Sequence, residues 1–200
     1  MKWVVRILGA VVALVIVTLA GLWIASNRRD AGRLRGNIEI DRPLDITWTW
    51  LSDPAKLTQW VGWLDGIEPD TTTVAEGIGH REIWVMNDPR MKEKLRIPGT
   101  ITVWDPPRQV GVHIAMPEAF EGDVLYTLTE LPNGRTRFEQ DGRFRYLDRF
   151  AALMEPLVTP EAMKKLVDDM QRMKQKVEAE PFPTDSTDVG ASPADTAAAQ

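Results

Sequence analysis

Apolar and polar positions divide the chain into three regimes. From Ile7 to Ala25 nineteen residues run without a charge, and Thr18 is the only polar side chain among them. As a helix rising ~1.5 Å per residue the run reaches roughly 28 Å, about the hydrocarbon thickness of a bilayer. Trp3 and Trp23 lie near its ends, where indole rings favour the interface, and Lys2, Arg6, Arg28 and Arg29 bracket it with charge. The pattern predicts a single-pass membrane anchor over residues 1–25. A cleaved signal peptide is the rival reading. Its apolar core usually runs only ~7 to 15 residues, and the best small-residue cleavage site here, Thr18-Leu19-Ala20, lies inside the run. The basic head favours a periplasmic-type domain on a bacterial-type inner membrane, while Arg28, Arg29, Arg33 and Arg35 pull the other way.

Residues 26–36 are polar and Arg-rich, which reads as a tether or as a basic stretch on anionic head groups. Alternation then begins. Asn37 to Ile40 reads as a short strand, Asp41-Arg42-Pro43 breaks it, and Leu44 to Leu51 is helical. Asp53 and Pro54 are placed as N-cap and first position of a second short helix carrying Leu57, Trp60 and Val61.

After Gly66 the period becomes two. Ile67 to Val74, His80 to Met86, Leu95 to Trp104, Gln109 to Met116, Asp123 to Leu131 and Thr136 to Tyr146 are strand candidates. Asn133-Gly134 marks a hairpin between the last two. In the final strand Phe138, Gln140, Gly142, Phe144 and Tyr146 share one face and charged residues the other. A long helix is predicted from Thr159 to Glu180, with Thr159 as cap and Pro160 at its first position. Its stripe of Met163, Leu166, Val167, Met170, Met173 and Val177 needs a partner, and the concave face of a sheet is the only large one. The domain therefore spans residues 37–180, and the Pro- and Ala-rich stretch 181–200 reads as a disordered tail.

Charge narrows the function classes. Residues 1–35 hold six Lys or Arg against Asp30 alone, while residues 36–180 hold 18 basic and 25 acidic side chains. An acidic domain argues against a nucleic-acid partner. Without any cysteine the chain has no disulfide or thiolate metal site. His80 and His113 lie on different strands without ligand-type spacing, so no metal or other cofactor is expected. No phosphate loop, dinucleotide fingerprint or Ser-His-Asp pattern is present, and no catalytic set is assigned.

The order β, two short α, six β, one long α, together with Ile38-Glu39-Ile40, Arg42-Pro43, the string Ile46 to Leu57, Trp60, Pro106-Pro107-Arg108 and Tyr126 to Glu130, resembles the SRPBCC superfamily. This group includes START lipid-transfer domains, the birch pollen allergen family and polyketide cyclase/dehydrase-like proteins. The resemblance covers about residues 37–180. It implies an α+β helix-grip fold, a seven-stranded antiparallel sheet wrapped around a long C-terminal helix with a cavity between them. It implies no single chemistry.

Candidate ligand-contacting residues follow from the inward faces. On the strands these are Trp84, Met86, Tyr126, Phe138, Gln140 and Phe144, and on the long helix Met163, Met170 and Met173. Trp63 joins them at an apolar rim after the second short helix, whereas Trp60 reads as core. Gln140 stands out, because a polar group on an apolar face needs a partner, whether ligand, water or backbone. His80 and Glu82, two apart, share a strand face, which reads as an exposed pair or as an acid/base dyad. Three functions compete: a membrane-anchored binding or carrier protein for a hydrophobic, lipid-like or polyketide-like small molecule; a cyclase or dehydratase in which His80, Glu82 or Gln140 polarises a carbonyl; and a protein-interaction module, which a filled core would favour.

Overall fold

The computed structural model describes residues 2–28, 31–87 and 93–181. Residues 182–200, which make up nearly all of the stretch read as a disordered tail, lie outside that description. The apolar run forms α1 (Lys2–Ser26), a helix long and apolar enough to cross a membrane. Leu22, Ala25 and Ser26 near its end are partly covered, and the helix touches the C-terminal helix of the domain.

The first strand, β1 (Arg33–Ile40), starts four residues before Asn37, so the segment between α1 and the sheet is shorter than residues 26–36. Leu34 and Gly36 continue the inward alternation of Ile38 and Ile40. Arg33 and Arg35, which helped make this stretch look like a tether, stand on the outward half of a strand. Arg33 donates to both Asp141 oxygens, at 3.0 and 2.7 Å, across the ladder. Next come α2 (Leu44–Ser52) and α3 (Pro54–Trp60), with Asp53 capping the latter by accepting the Ala55 N–H at 2.8 Å.

The remaining strands are β2 (Leu64–Pro69), β3 (Arg81–Met86), β4 (Leu95–Asp105), β5 (Gln109–Met116), β6 (Phe120–Leu131) and β7 (Arg135–Tyr146). All pair antiparallel in the order β1-β7-β6-β5-β4-β3-β2, so the first strand closes against the last. β2 ends before the threonines at 71–73 instead of running from Ile67 to Val74. It is an edge strand, where Pro69 leaves no central ladder bond unmade. At the β6–β7 hairpin Asn133 and Gly134 adopt φ of 67° and 68°, a backbone these two residue types tolerate.

The closing helix, α4 (Arg149–Ala179), starts ten residues before Thr159. Asp148, not Thr159, caps it by accepting the Ala151 N–H at 2.8 Å. Pro156 and Pro160 lie within it, each forfeiting one i→i−4 bond. Tertiary contact holds that stretch in place: Glu155 is 2% exposed and Leu153 and Met154 are partly buried. α4 crosses β1 and β7 and contacts both short helices. The core between them centres on Ile40, Trp60, Phe138, Met173 and Val177, all essentially inaccessible. This is the helix-grip arrangement.

Candidate functional site

The helix does not fill the grip. One cavity of about 230 Å³ opens under the middle of α4, and a second of about 250 Å³ lies toward α2 and α3. Trp84 and Tyr126 line both and stand between them.

The first cavity is bounded by aromatic and aliphatic side chains. Trp63, from the turn between α3 and β2, stacks on Trp84 with centroids 5.7 Å apart, and Phe144 meets Phe120 edge-on at 6.4 Å. Phe144 lies over two glycines: a Cβ on Gly122 would come within 2.4 Å of its ring and one on Gly142 within 2.9 Å. Those strand glycines make room for the ring. Lys165 and Asp169 of α4 bring charge to the lining. Asp169 is spent on structure, since it accepts from Gly62 N at 3.1 Å and from Arg172, whose Nε donates to the Trp60 carbonyl at 3.0 Å. Gln140 faces this cavity from β7, opposite Tyr126, and its amide makes no hydrogen bond to a described residue.

Of the ten candidate residues, Trp63, Trp84, Met86, Tyr126, Gln140 and Phe144 come together around this cavity. Phe138, Met170 and Met173 do not; they are 0–3% exposed and belong to the packed core, where Phe138 stacks on Tyr126 and meets Trp60 edge-on. Met163 packs against that core without lining the space. Sequence reasoning missed Leu34, Ile97, Ile114, Val124 and Tyr146, all on inward faces, and Ala162, Lys165 and Leu166 on α4. Leu34 is legible only if the alternation of β1 is extended into the arginine-rich stretch. Trp60, read as core, is 1% exposed and also borders the cavity.

The second cavity holds the pair His80 and Glu82, which is not an exposed pair: their side chains are 16% and 10% exposed. Glu82 shares its face of β3 with Trp84 and Met86, and the bare Cα of Gly99 on β4 leaves space beside it. Its Oε1 accepts the indole N–H of Trp84. Burial pushes its carboxyl above the usual range, only partly offset by the Trp84 bond and by His80. Burial likewise pushes the Tyr126 phenol up, and the nearby Glu82 charge adds to it. His80 and Gln140 open into different cavities, so no single substrate carbonyl meets both.

Residues 31–178 match the family described as polyketide cyclase / dehydrase and lipid transport. The chain belongs to this family. No curated protein matches it by sequence. Among solved structures, this polyketide cyclase/dehydrase and lipid transport domain is similar to a START superfamily protein from Mycobacterium smegmatis, with TM-score 0.60 at 12% identity over 73% of this chain and 97% of that one. It is also similar to a protein from Thermus thermophilus, with TM-score 0.58 at 17% identity over 72% and 96% of the two chains. The di-domain ARO/CYC BexL of the BE-7585A biosynthetic pathway gives TM-score 0.56 at 12% identity, over 73% of this chain and 46% of that one. At these identities the likeness concerns the fold.

Proposed function

We propose that the protein is a membrane-anchored binding or carrier protein for a hydrophobic small molecule held in the cavity beneath α4. The observation that carries this reading is the Gln140 amide, which faces a space walled by Trp63, Trp84, Met86 and Phe144 and has no partner among the described residues. Apolar walls with one or two placed polar groups are what a lipid-like guest with a single oxygen function requires. An apolar cavity of about 150 Å³ already admits benzene. The space here, at about 230 Å³, suits a somewhat larger body. α1 supports the membrane part of the reading. The domain cannot stray far from the helix, because only residues 27–32 separate α1 from β1.

A cyclase or dehydratase using His80 and Gln140 together does not fit two separate cavities. A pure interaction module is disfavoured for the reason that its interior would be filled.

The test uses the full chain in lipid nanodiscs. Native mass spectrometry and solvent extraction should find a bound apolar molecule, and an apolar fluorescent probe should bind saturably. Ala162→Trp, which places an indole in the cavity from α4, should weaken probe binding at least tenfold while leaving the unfolding midpoint close to that of the parent. Equal probe binding by parent and plugged variant sinks the proposal.

A further inference from the structure

The second cavity has a polar end of unusual chemistry. Glu82 Oε2 accepts no hydrogen bond from any described residue and stands 4.0 Å from His80 Nε2. On the other side of the imidazole ring, Nδ1 lies 2.7 Å from the Val74 carbonyl oxygen. A carbonyl can only accept, so Nδ1 carries the proton, and in the neutral ring Nε2 presents its lone pair. Two acceptors thus face each other across a gap too long for a direct bond. A group with two donors between them would satisfy both.

The rest of the lining says what that group is attached to. Among the described residues that line this cavity there is no Lys or Arg, while the exposed Glu76 adds a second carboxylate to the lining. A ligand anion would meet like charge in a poorly solvated space; a ligand cation would meet opposite charge. Trp84, Trp104 and Tyr126 supply ring faces that attract a cation, and Leu51, Leu57 and Ile101 accept hydrocarbon. Trp104 is held in place by Trp48, edge-on at 5.4 Å.

We propose that this cavity is a second binding site, distinct from the one beneath α4, for a small lipophilic primary amine. Its ammonium bridges Glu82 Oε2 and His80 Nε2, and its aromatic or alkyl body lies against Trp84, Trp104 and Tyr126. The site does not depend on what occupies the first cavity, since the bridging pair faces only the second.

Isothermal titration of the full chain in nanodiscs tests this, with heats from empty nanodiscs subtracted. The probes are 2-phenylethylamine, 2-phenylethanol and 3-phenylpropionate, which share a body and differ in the head group. The amine should bind saturably at one site and at least tenfold tighter than the alcohol or the acid. Glu82→Gln keeps an acceptor for the Trp84 indole and removes the charge; it should weaken the amine at least tenfold and leave the alcohol within about twofold. If that variant does not fold, His80→Gln, at the more accessible member of the pair, should still weaken the amine severalfold. An amine no tighter than the alcohol, an affinity unmoved by the variant that folds, or no saturable heat at all, as when a proton alone is shared by the pair, overturns the proposal.

Discussion

The indole of Trp63 stacks on that of Trp84 with an interplanar angle of 30°, yet the two differ in what holds them. Trp84 is 4% exposed and donates to Glu82, whereas Trp63 is half-buried on the turn before β2, fastened through its carbonyl, which accepts the Asn87 N–H at 2.9 Å. Trp63 is therefore a wall that can be removed without collapsing the core. Trp63→Ala should cost about 1–2 kcal/mol of stability, against about 3–5 kcal/mol for Trp84→Ala. It should also weaken binding of an apolar probe about tenfold, a loss of about 1.4 kcal/mol. Urea unfolding and probe titration on the two variants check both statements; equal stability losses would contradict the assignment.

Glu82 gives the fold a specific pH response. Its folded-state carboxyl lies above the ordinary range, chiefly through burial, so the folded protein holds that proton more tightly than the unfolded chain does. The sign follows from linkage: this group imposes no cost below its unfolded pKa, and stability falls as pH rises from there through the raised folded pKa. Glu82→Gln should therefore raise the unfolding midpoint at pH 7 and leave it nearly unchanged at pH 4. Thermal melts of parent and variant across that interval provide the check, and a gain confined to the acid end would reverse the assignment.

Strand alternation made most of the sheet legible, because inward and outward positions differ by one residue and one side faces water. It failed at β2, where Thr71 to Val74 carry the β-branched composition of a strand while the real one includes Gly66 and Pro69, permitted at a sheet edge. Capping chemistry misled at α4, since Thr159-Pro160 imitates a helix start inside a helix that Asp148 had already capped. Alternation shows which face a residue is on but not how far along the grip it lies. It therefore groups Phe138 with Trp84, though α4 packs tightly over Phe138, with its own Met173 fully buried, and leaves space beside Trp84. Glu82 falls in the same period as Trp84 and Met86. Its charge hides it, because a lone carboxylate on an inward face is costly unless something offsets it.

Gly32 is the sharpest backbone constraint near the end of α1. Its φ is +71°, and a Cβ there would lie 2.0 Å from the carbonyl oxygen of Phe144, which is backbone and cannot swing aside. The same residue accepts the Phe144 N–H at 2.9 Å, closing the β1–β7 ladder under the cavity wall. Gly32→Ala should destabilise the fold by about 2–4 kcal/mol, combining left-handed strain with displaced ladder bonds. By contrast Gly134→Ala, where a Cβ meets open space at φ +68°, should cost only about 1 kcal/mol. Comparable losses at both sites in denaturant melts would mean that the Phe144 contact is not what constrains Gly32.

Glu155 joins α1 to the domain. The carboxylate is buried and its Oε1 accepts from Gly32 N at 3.0 Å, from Arg28 at 3.2 Å and from the Thr159 hydroxyl, so the exit of α1, the approach to β1 and the first half of α4 meet at one oxygen. Glu155→Ala strands the Gly32 N–H in a buried place and should cost about 1–3 kcal/mol. Glu155→Gln keeps an acceptor and should recover most of that. The orientation of the domain on its helix should respond as well. The sequence contains no cysteine, so spin labels on Ser26→Cys and Lys174→Cys report without background. In nanodiscs the distance distribution between them should broaden in Glu155→Ala and stay narrow in Glu155→Gln. A distribution as narrow in the alanine variant as in the parent would mean the domain is oriented on α1 by something other than this carboxylate.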